Sequence, residues 1–382
     1  MNFKYKITTN LIFGTGKEKV IGKEAARIGK KLMIVTGGNS TKKSGLLDRT
    51  KAMLEENGVE YVVFDKSQQN PIFGTVDEGA QLMLSEGCDG AIALGGGSIM
   101  DSAKAICAAA AYGQPVKELV YAGKSIRKAF PMIAVTTTCG TGSEVNGIAV
   151  LTNEENNDKL SIKGDSIIPK AAIVDPALMM TMPKGVYASV AFDALCHLME
   201  AYLSKFANPI TDMYAMEGMR LMRDNLVKVY ENYDDVKAWE KVTLASTLGG
   251  YTLNAIGVIA GHGMEHPESG LKDVMHGKGL AAVIPVLLKE LAPAAPERVA
   301  EISRLFGGTD ENDCWKVILK LLKDIDLALT LEDLGFTDED IIWMKKNAFE
   351  VSAGTIACSP KELTPDDIER LYRESMTFNK AN

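Results

Sequence analysis

The sequence holds only four histidines, and three of them, His262, His266 and His276, fall within fifteen residues. They stand in Gly261-His262-Gly263-Met264-Glu265-His266-Pro267 and in Met275-His276-Gly277. The fourth, His197, lies in the apolar stretch Asp193-Ala194-Leu195-Cys196-His197. Asp193 and His197 are four apart, as are His262 and His266, and residues at that spacing project from one face of an α-helix. Imidazole nitrogen and carboxylate oxygen are ready ligands for a divalent ion of the zinc or ferrous type. A lone histidine on an apolar helix is more often a hydrogen-bonded core residue than a ligand. Here the whole histidine complement falls in two helical clusters with a carboxylate at ligand spacing, and that reverses the balance. Spacing alone leaves open which of the three clustered histidines stands aside.

Two other segments could bind an anion. Gly90-Ala91-Ile92-Ala93-Leu94 runs directly into Gly95-Gly96-Gly97-Ser98-Ile99-Met100-Asp101-Ser102-Ala103-Lys104. Strand, glycine run and helix in that order bring bare backbone and a positive helix end up to a pyrophosphate. A glycine run by itself would be a plain turn; the order of elements favours a ligand. Met132-Ile133-Ala134-Val135 leads likewise into Thr136-Thr137-Thr138-Cys139-Gly140-Thr141-Gly142-Ser143-Glu144-Val145. That loop is dense in hydroxyls and glycines at the carboxyl end of a strand, where open α/β sheets bind ligands. Taken alone, it could equally be a Ser/Thr-rich turn with no ligand.

The elements that must position these residues follow from the hydrophobic pattern. Short apolar runs at Leu32–Val35, Tyr61–Phe64, Gly90–Leu94 and Met132–Val135 alternate with helical stretches near Leu46–Asn57 and Val76–Glu86, which predicts a parallel α/β sheet. Short strands are expected before Phe13-Gly14-Thr15-Gly16. Beyond Val174-Asp175-Pro176 the texture becomes helical almost throughout. Thr364-Pro365-Asp366-Asp367 supplies an N-cap, a first-turn proline and acids for the last helix. The expected fold is an α/β dinucleotide-binding domain with a Rossmann-like parallel sheet (residues 1–183), followed by an all-α metal-binding domain (residues 184–382). The active site is expected in the cleft between them.

Composition narrows the classes. The net charge is −8, and no basic run interleaved with aromatics marks a nucleic-acid surface. No apolar run approaches the ~18 residues of a membrane span, and the N-terminus lacks the apolar core of a signal peptide. Six cysteines with no C-x-x-C pair argue against a disulfide framework or a thiolate zinc site. A cytoplasmic enzyme without membrane or nucleic-acid partners is the expectation.

Taken together, the glycine loop, the Thr137–Glu144 loop, Asp193-x-x-x-His197 and the His262/His266/His276 arrangement resemble the signatures of the iron-containing (group III) alcohol dehydrogenases. Glu265 before the second histidine is similar to the butanol-dehydrogenase and aldehyde-reductase branch. The resemblance spans essentially the whole chain. It implies Asp193, His197, His262 and His276 as ligands of one divalent metal, Fe2+ or Zn2+, with His266 as a catalytic non-ligand touching substrate or nicotinamide. It also implies that Gly95, Gly96, Gly97, Ser98 and Asp101 hold the cofactor pyrophosphate. Thr137, Thr138, Thr141 and Ser143 would lie along the cofactor, and Lys159 near its ribose. A homo-oligomer, a dimer, acting on a small alcohol or aldehyde is expected. Two departures stand out: Cys139, where the family usually has a small apolar residue, and Glu268-Ser269-Gly270, where it often has Leu-Gly-Gly.

In such an enzyme the metal polarises an alcohol or aldehyde oxygen, hydride passes between carbon and nicotinamide, and His266 relays a proton. Pro267 predicts His266 at a helix end, since the residue before a proline is pushed out of helical conformation. The segment Gly37-Gly38-Asn39 after the first long strand should meet the adenosine ribose. It carries no acid to repel a 2′-phosphate, and Lys42 and Lys43 follow, so NADP(H) is expected over NAD(H). The two lysines could instead be a solvated helix face. Three rival readings exist. His262-x-x-Glu265-His266 matches the H-x-x-E-H of inverted zinc proteases; glycerol dehydrogenases and dehydroquinate-synthase-like lyases share the architecture; and a nucleotide-binding module would need no metal.

Overall fold

The apolar runs at Leu32–Val35, Ala91–Leu94 and Ile133–Val135 are completely buried, as strands covered by helices on both faces must be. In the computed structural model, which describes residues 2–382, they form the centre of one of two compact units, Lys6–Thr181. Its strands are β1 (Asn10–Phe13), β2 (Lys31–Gly37), β3 (Glu60–Ser67), β4 (Gly90–Gly95), β5 (Met132–Thr136), β6 (Ile148–Asn153), β7 (Asp158–Lys163) and β8 (Ala171–Val174). Six of them make an all-parallel sheet in the order β1-β8-β5-β4-β2-β3. Alternate residues feed two cores: Met33, Val35, Ala91 and Ala93 on one face, Leu32, Ile34, Ile92 and Leu94 on the other.

From β2 the chain moves outward to β3 and then crosses back to β4 on the other side. The strand order therefore reverses between β2 and β4, and ligands of open α/β sheets bind at such a reversal, beyond the carboxyl ends. The helix Gly97–Tyr112 leaves β4 there; its alanines and Cys107 are small enough to lie flat against the sheet, and Ala103 to Ala110 are buried. The sequence pattern did not reveal β6 and β7, an antiparallel hairpin closed through a turn with Asn157 in the left-handed region (φ 63).

The second unit, Met182–Asn382 with the N-terminal residues up to Tyr5, has no strand among the described residues. Its long helices are Lys184–Leu203, Pro209–Glu231, Val236–Ile256, Ala260–Lys272 and His276–Leu291. The first is buried on all sides from Tyr187 onward except at Val190, which marks it as the unit's central rod. Pro365–Ser375 starts with a full capping box, Thr364 and Asp367 exchanging hydrogen bonds, with Pro365 in the first turn. Among the described residues no single helix is long and apolar enough to cross a membrane.

Candidate active site

Asp193 and His197 sit one turn apart on the buried rod Lys184–Leu203, while His262 comes from Ala260–Lys272 and His276 opens the helix His276–Leu291. Three imidazoles converge on a single carboxylate oxygen. Asp193 Oδ1 lies 3.6 Å from His197 Nδ1, 3.5 Å from His262 Nε2 and 3.7 Å from His276 Nε2. The rings of His197 and His262 stand 4.5 Å apart at 34°. Ligands at about 2.1 Å around a tetrahedral ion are about 3.4 Å from one another. The observed separations from Asp193 Oδ1 are close to that distance and longer than hydrogen bonds. Neither Asp193 Oδ1 nor His262 Nε2 makes a hydrogen bond among the described residues, although both are buried.

The electrostatics agree. Burial pushes the Asp193 carboxyl up, yet His197, His276 and His262 hold it well below the usual carboxylate range. Burial disfavours charge on His262, but Glu200 and Asp193 more than offset this and raise it to about 10. The pocket thus attracts positive charge strongly, and a divalent ion can take the proton's place on neutral imidazole. Asp193, His262 and His276 offer ligand atoms within 4.8 Å of one another, and the ring of His197 lies tilted beside that of His262. This donor set fits iron or zinc equally.

The loops of the α/β unit are packed together at the carboxyl edge of the sheet. A Cβ on Gly96 would stand 2.8 Å from Thr138 Oγ1, and one on Gly97 only 2.3 Å from Thr141 Cγ2. Gly37 and Gly95 both close on the Ile99 side chain. Gly38 faces open space, and Asn39 precedes the short helix Ser40–Lys43. Thr137 is anchored through its N–H to the Gly95 carbonyl at 3.1 Å. No side chain caps the helix at Gly97, so its first N–H groups, Ser98 included, remain available to an anion. Asp101 and Ser143 differ from the rest, because their polar atoms are engaged inside the protein. Ser143 donates to Asp101 Oδ1 at 2.6 Å, and the Val150 N–H donates to Asp101 Oδ2 at 2.9 Å. Lys159, on β7, donates to Asn70 Oδ1 at 2.9 Å, which brings it to the carboxyl end of β3.

Comparison with known proteins now decides the family. A model described as iron-containing alcohol dehydrogenase matches residues 8–176, and one for the C-terminal part of the Fe-containing alcohol dehydrogenase family matches residues 187–376. The chain belongs to the iron-containing alcohol dehydrogenases. A 1,3-propanediol dehydrogenase of Klebsiella pneumoniae is 32% identical, with 98% of each chain covered. An NAD-dependent methanol dehydrogenase of Bacillus methanolicus is 30% identical over 96% of this chain and 97% of its own. Among solved structures, an alcohol dehydrogenase of a halo-thermophilic archaeon from a Red Sea brine pool superposes with a TM-score of 0.95 at 32% identity, covering 98% of this chain and 99% of its own.

Within this family framework, one expectation is corrected. His266 is not at a helix end: the helix runs unbroken from Ala260 to Lys272 with Pro267 inside it. Pro267 offers no N–H to the Gly263 carbonyl, but the buried neighbours Met264, Glu265 and Glu268 hold the segment helical, so tertiary packing overrides the local preference. His266 is partly exposed, its ring 6.5 Å from that of His262 and edge-on to it. The protease reading needs His262 and His266 on one ion; the geometry pairs His262 with Asp193 and His276 instead. Cys139 is fully buried and burial pushes its thiol up to about 12, so it packs as a small apolar side chain. Sequence reasoning missed Glu200, which lies 2.7 Å from His262 Nδ1. Its signal was present: Asp193, His197 and Glu200 share one face of an otherwise apolar helix.

Proposed function

We propose that the chain interconverts short- to medium-chain primary alcohols and aldehydes, using one divalent ion, Fe2+ or Zn2+, and NAD(P)(H). The observation that carries this reading is the ring of three imidazole nitrogens within 3.7 Å of Asp193 Oδ1. Asp193, His197, His262 and His276 would hold the ion, which when bound supplies Lewis-acid polarisation of the substrate oxygen. Burial of Asp193, His197 and His262 keeps water off those ligands. His266, on the same helix as His262 but more exposed, would carry the hydroxyl proton towards solvent. Gly95 to Ser98 would receive the pyrophosphate of the cofactor, whose nicotinamide ring would exchange the hydride.

Relatives named for methanol, 1,3-propanediol and butanol support a small primary alcohol as substrate. For the cofactor, acceptance of NADP(H) is supported by the absence of any acid between Thr36 and Ser40. Lys42 is paired with Asp65 at 2.5 Å, so Lys43 is the better partner for a 2′-phosphate. The six cysteines, five of them buried, are in no disulfide, which suits a reducing compartment such as the cytoplasm. The test is oxidation of NADPH, and separately NADH, with butyraldehyde after anaerobic loading with ferrous iron. Turnover abolished by a chelator is the expected result. Bound metal without turnover on either cofactor would move the reading to a polyol or lyase-type reaction on the same scaffold.

A further inference from the structure

Behind two of the histidines stand carboxylates, on the side of each ring away from Asp193. Glu200 Oε1 lies 2.7 Å from His262 Nδ1, and its other oxygen accepts from the Ile259 N–H at 2.7 Å, where the helix Ala260–Lys272 begins. Glu265 Oε2 meets His276 Nδ1. Glu200 and Glu265 are buried at 2% and 0% exposure, so each meets its imidazole with almost no competing water. Space for Glu265 comes from the facing helix: a Cβ on Gly279 would stand 2.8 Å from Glu265 Cγ and 2.6 Å from Glu268 Oε2.

The consequence concerns tautomers. A neutral imidazole carries one N–H and one lone pair, and the nitrogen that donates is not the one that ligates. His262 Nδ1 is hydrogen-bonded to Glu200 and His276 Nδ1 lies against Glu265 Oε2, and both rings turn Nε2 towards Asp193 Oδ1. We propose that Glu200 and Glu265 are positioning residues that fix the tautomer and ring direction of His262 and His276, and so set the affinity of the centre for a divalent ion. This rests on the metal reading above.

The test uses the purified full-length chain, stripped of metal and titrated with Co2+ against a chelator of known affinity, with the visible ligand-field band as signature. Glu200→Leu and Glu265→Leu are expected to weaken Co2+ binding roughly 10- to 100-fold and to change the band. Glu200→Gln and Glu265→Gln keep an acceptor oxygen, so they should lose less and retain the band shape. Leucine variants that melt like the wild type and bind Co2+ with unchanged affinity and spectrum would overturn the proposal. Should the leucine variants not fold, the glutamine variants decide: a weakening of several-fold supports positioning, and an unchanged affinity refutes it. Two Co2+ per chain, the second dependent on Glu265 and His266, would make Glu265 a ligand and remove its positioning role. Co2+ binding that survives His262→Ala would instead overturn the metal reading itself.

Discussion

The protein buries two clusters of charged and polar side chains, and they are built on opposite principles. In the α/β unit, Lys104 is fully buried and its ammonium meets three acceptors: Ser143 Oγ at 2.6 Å, Asn146 Oδ1 at 2.9 Å and the Ile148 carbonyl at 2.8 Å. Asp101 is likewise engaged at both oxygens, and Asn146 donates to the Gly142 carbonyl at 3.1 Å. Burial pulls the Lys104 ammonium down to about 8 and pushes the Asp101 carboxyl up, yet every polar atom has its partner. In the helical unit the inner atoms of Asp193 and His262 face each other without a hydrogen bond, while the outer atom of His262 is tied to Glu200. A polar network that satisfies itself braces a fold. One whose lone pairs converge on a point asks for a cation.

The first way to break that contrast is His262→Ala. It should abolish metal retention and lower kcat/KM roughly 1000-fold or more, because Lewis-acid polarisation is worth several kcal/mol of transition-state stabilisation. Metal content by atomic emission, measured beside the rate, checks it; a variant that keeps its metal would remove His262 from the ligand set. Lys104→Met should do the reverse. It leaves the Asp101 carboxylate buried without its cation, at a cost of about 3 kcal/mol or more in unfolding free energy, with metal content unchanged. Denaturant titration reads this directly. If Lys104→Met instead lost metal without losing stability, the two clusters would not be separable into brace and site.

What the sequence made legible follows the same division. Strands buried on both faces announce themselves as β-branched and small apolar runs, so the sheet could be placed to within a few residues at β2, β4 and β5. Histidine is scarce enough here that its clustering drew attention to the side chains that converge on Asp193, although it left open which of them stands aside. The hairpin of β6 and β7 escaped because its turn, Glu154 to Asn157, reads as a polar loop and its strands alternate only weakly. Lys104 looked like one more helix lysine, since only tertiary packing drives it to zero exposure. Pro267 misled for a related reason: a local rule about the preceding residue was overruled by the buried side chains around it. Burial of polar groups is decided by the whole fold, and short spacing cannot report it.

Two milder substitutions sharpen the comparison within each unit. His266→Ala should keep its metal and lose roughly 100-fold in kcat, the ordinary scale for a removed proton relay. Retention of metal beside a slow rate separates relay from ligand. Its ring lies 5.9 Å from that of His276, and Glu265, His266 and His276 also offer three ligand atoms within 4.8 Å. Loss of metal in His266→Ala would therefore mean that the ion is held on that side of His276, away from Asp193.

In the α/β unit the smallest change tests whether the braced loops recognise the cofactor by charge. Gly37 is a poor place to add an acid, because a Cβ there would stand 2.7 Å from the Ser67 carbonyl and 2.8 Å from Ile99. Gly38 has nothing within 4 Å, so Gly38→Asp can be made without disturbing the packing. A carboxylate at this turn hydrogen-bonds a free ribose 2′-hydroxyl and repels a 2′-phosphate. The KM for NADPH should rise about tenfold relative to that for NADH, equivalent to ~1.4 kcal/mol, with melting temperature and metal content unchanged. Undiminished use of NADPH would mean that the adenosine ribose does not lie over Gly38. The segment from Gly37 to Asn39 would then be only the turn that carries β2 into the next helix.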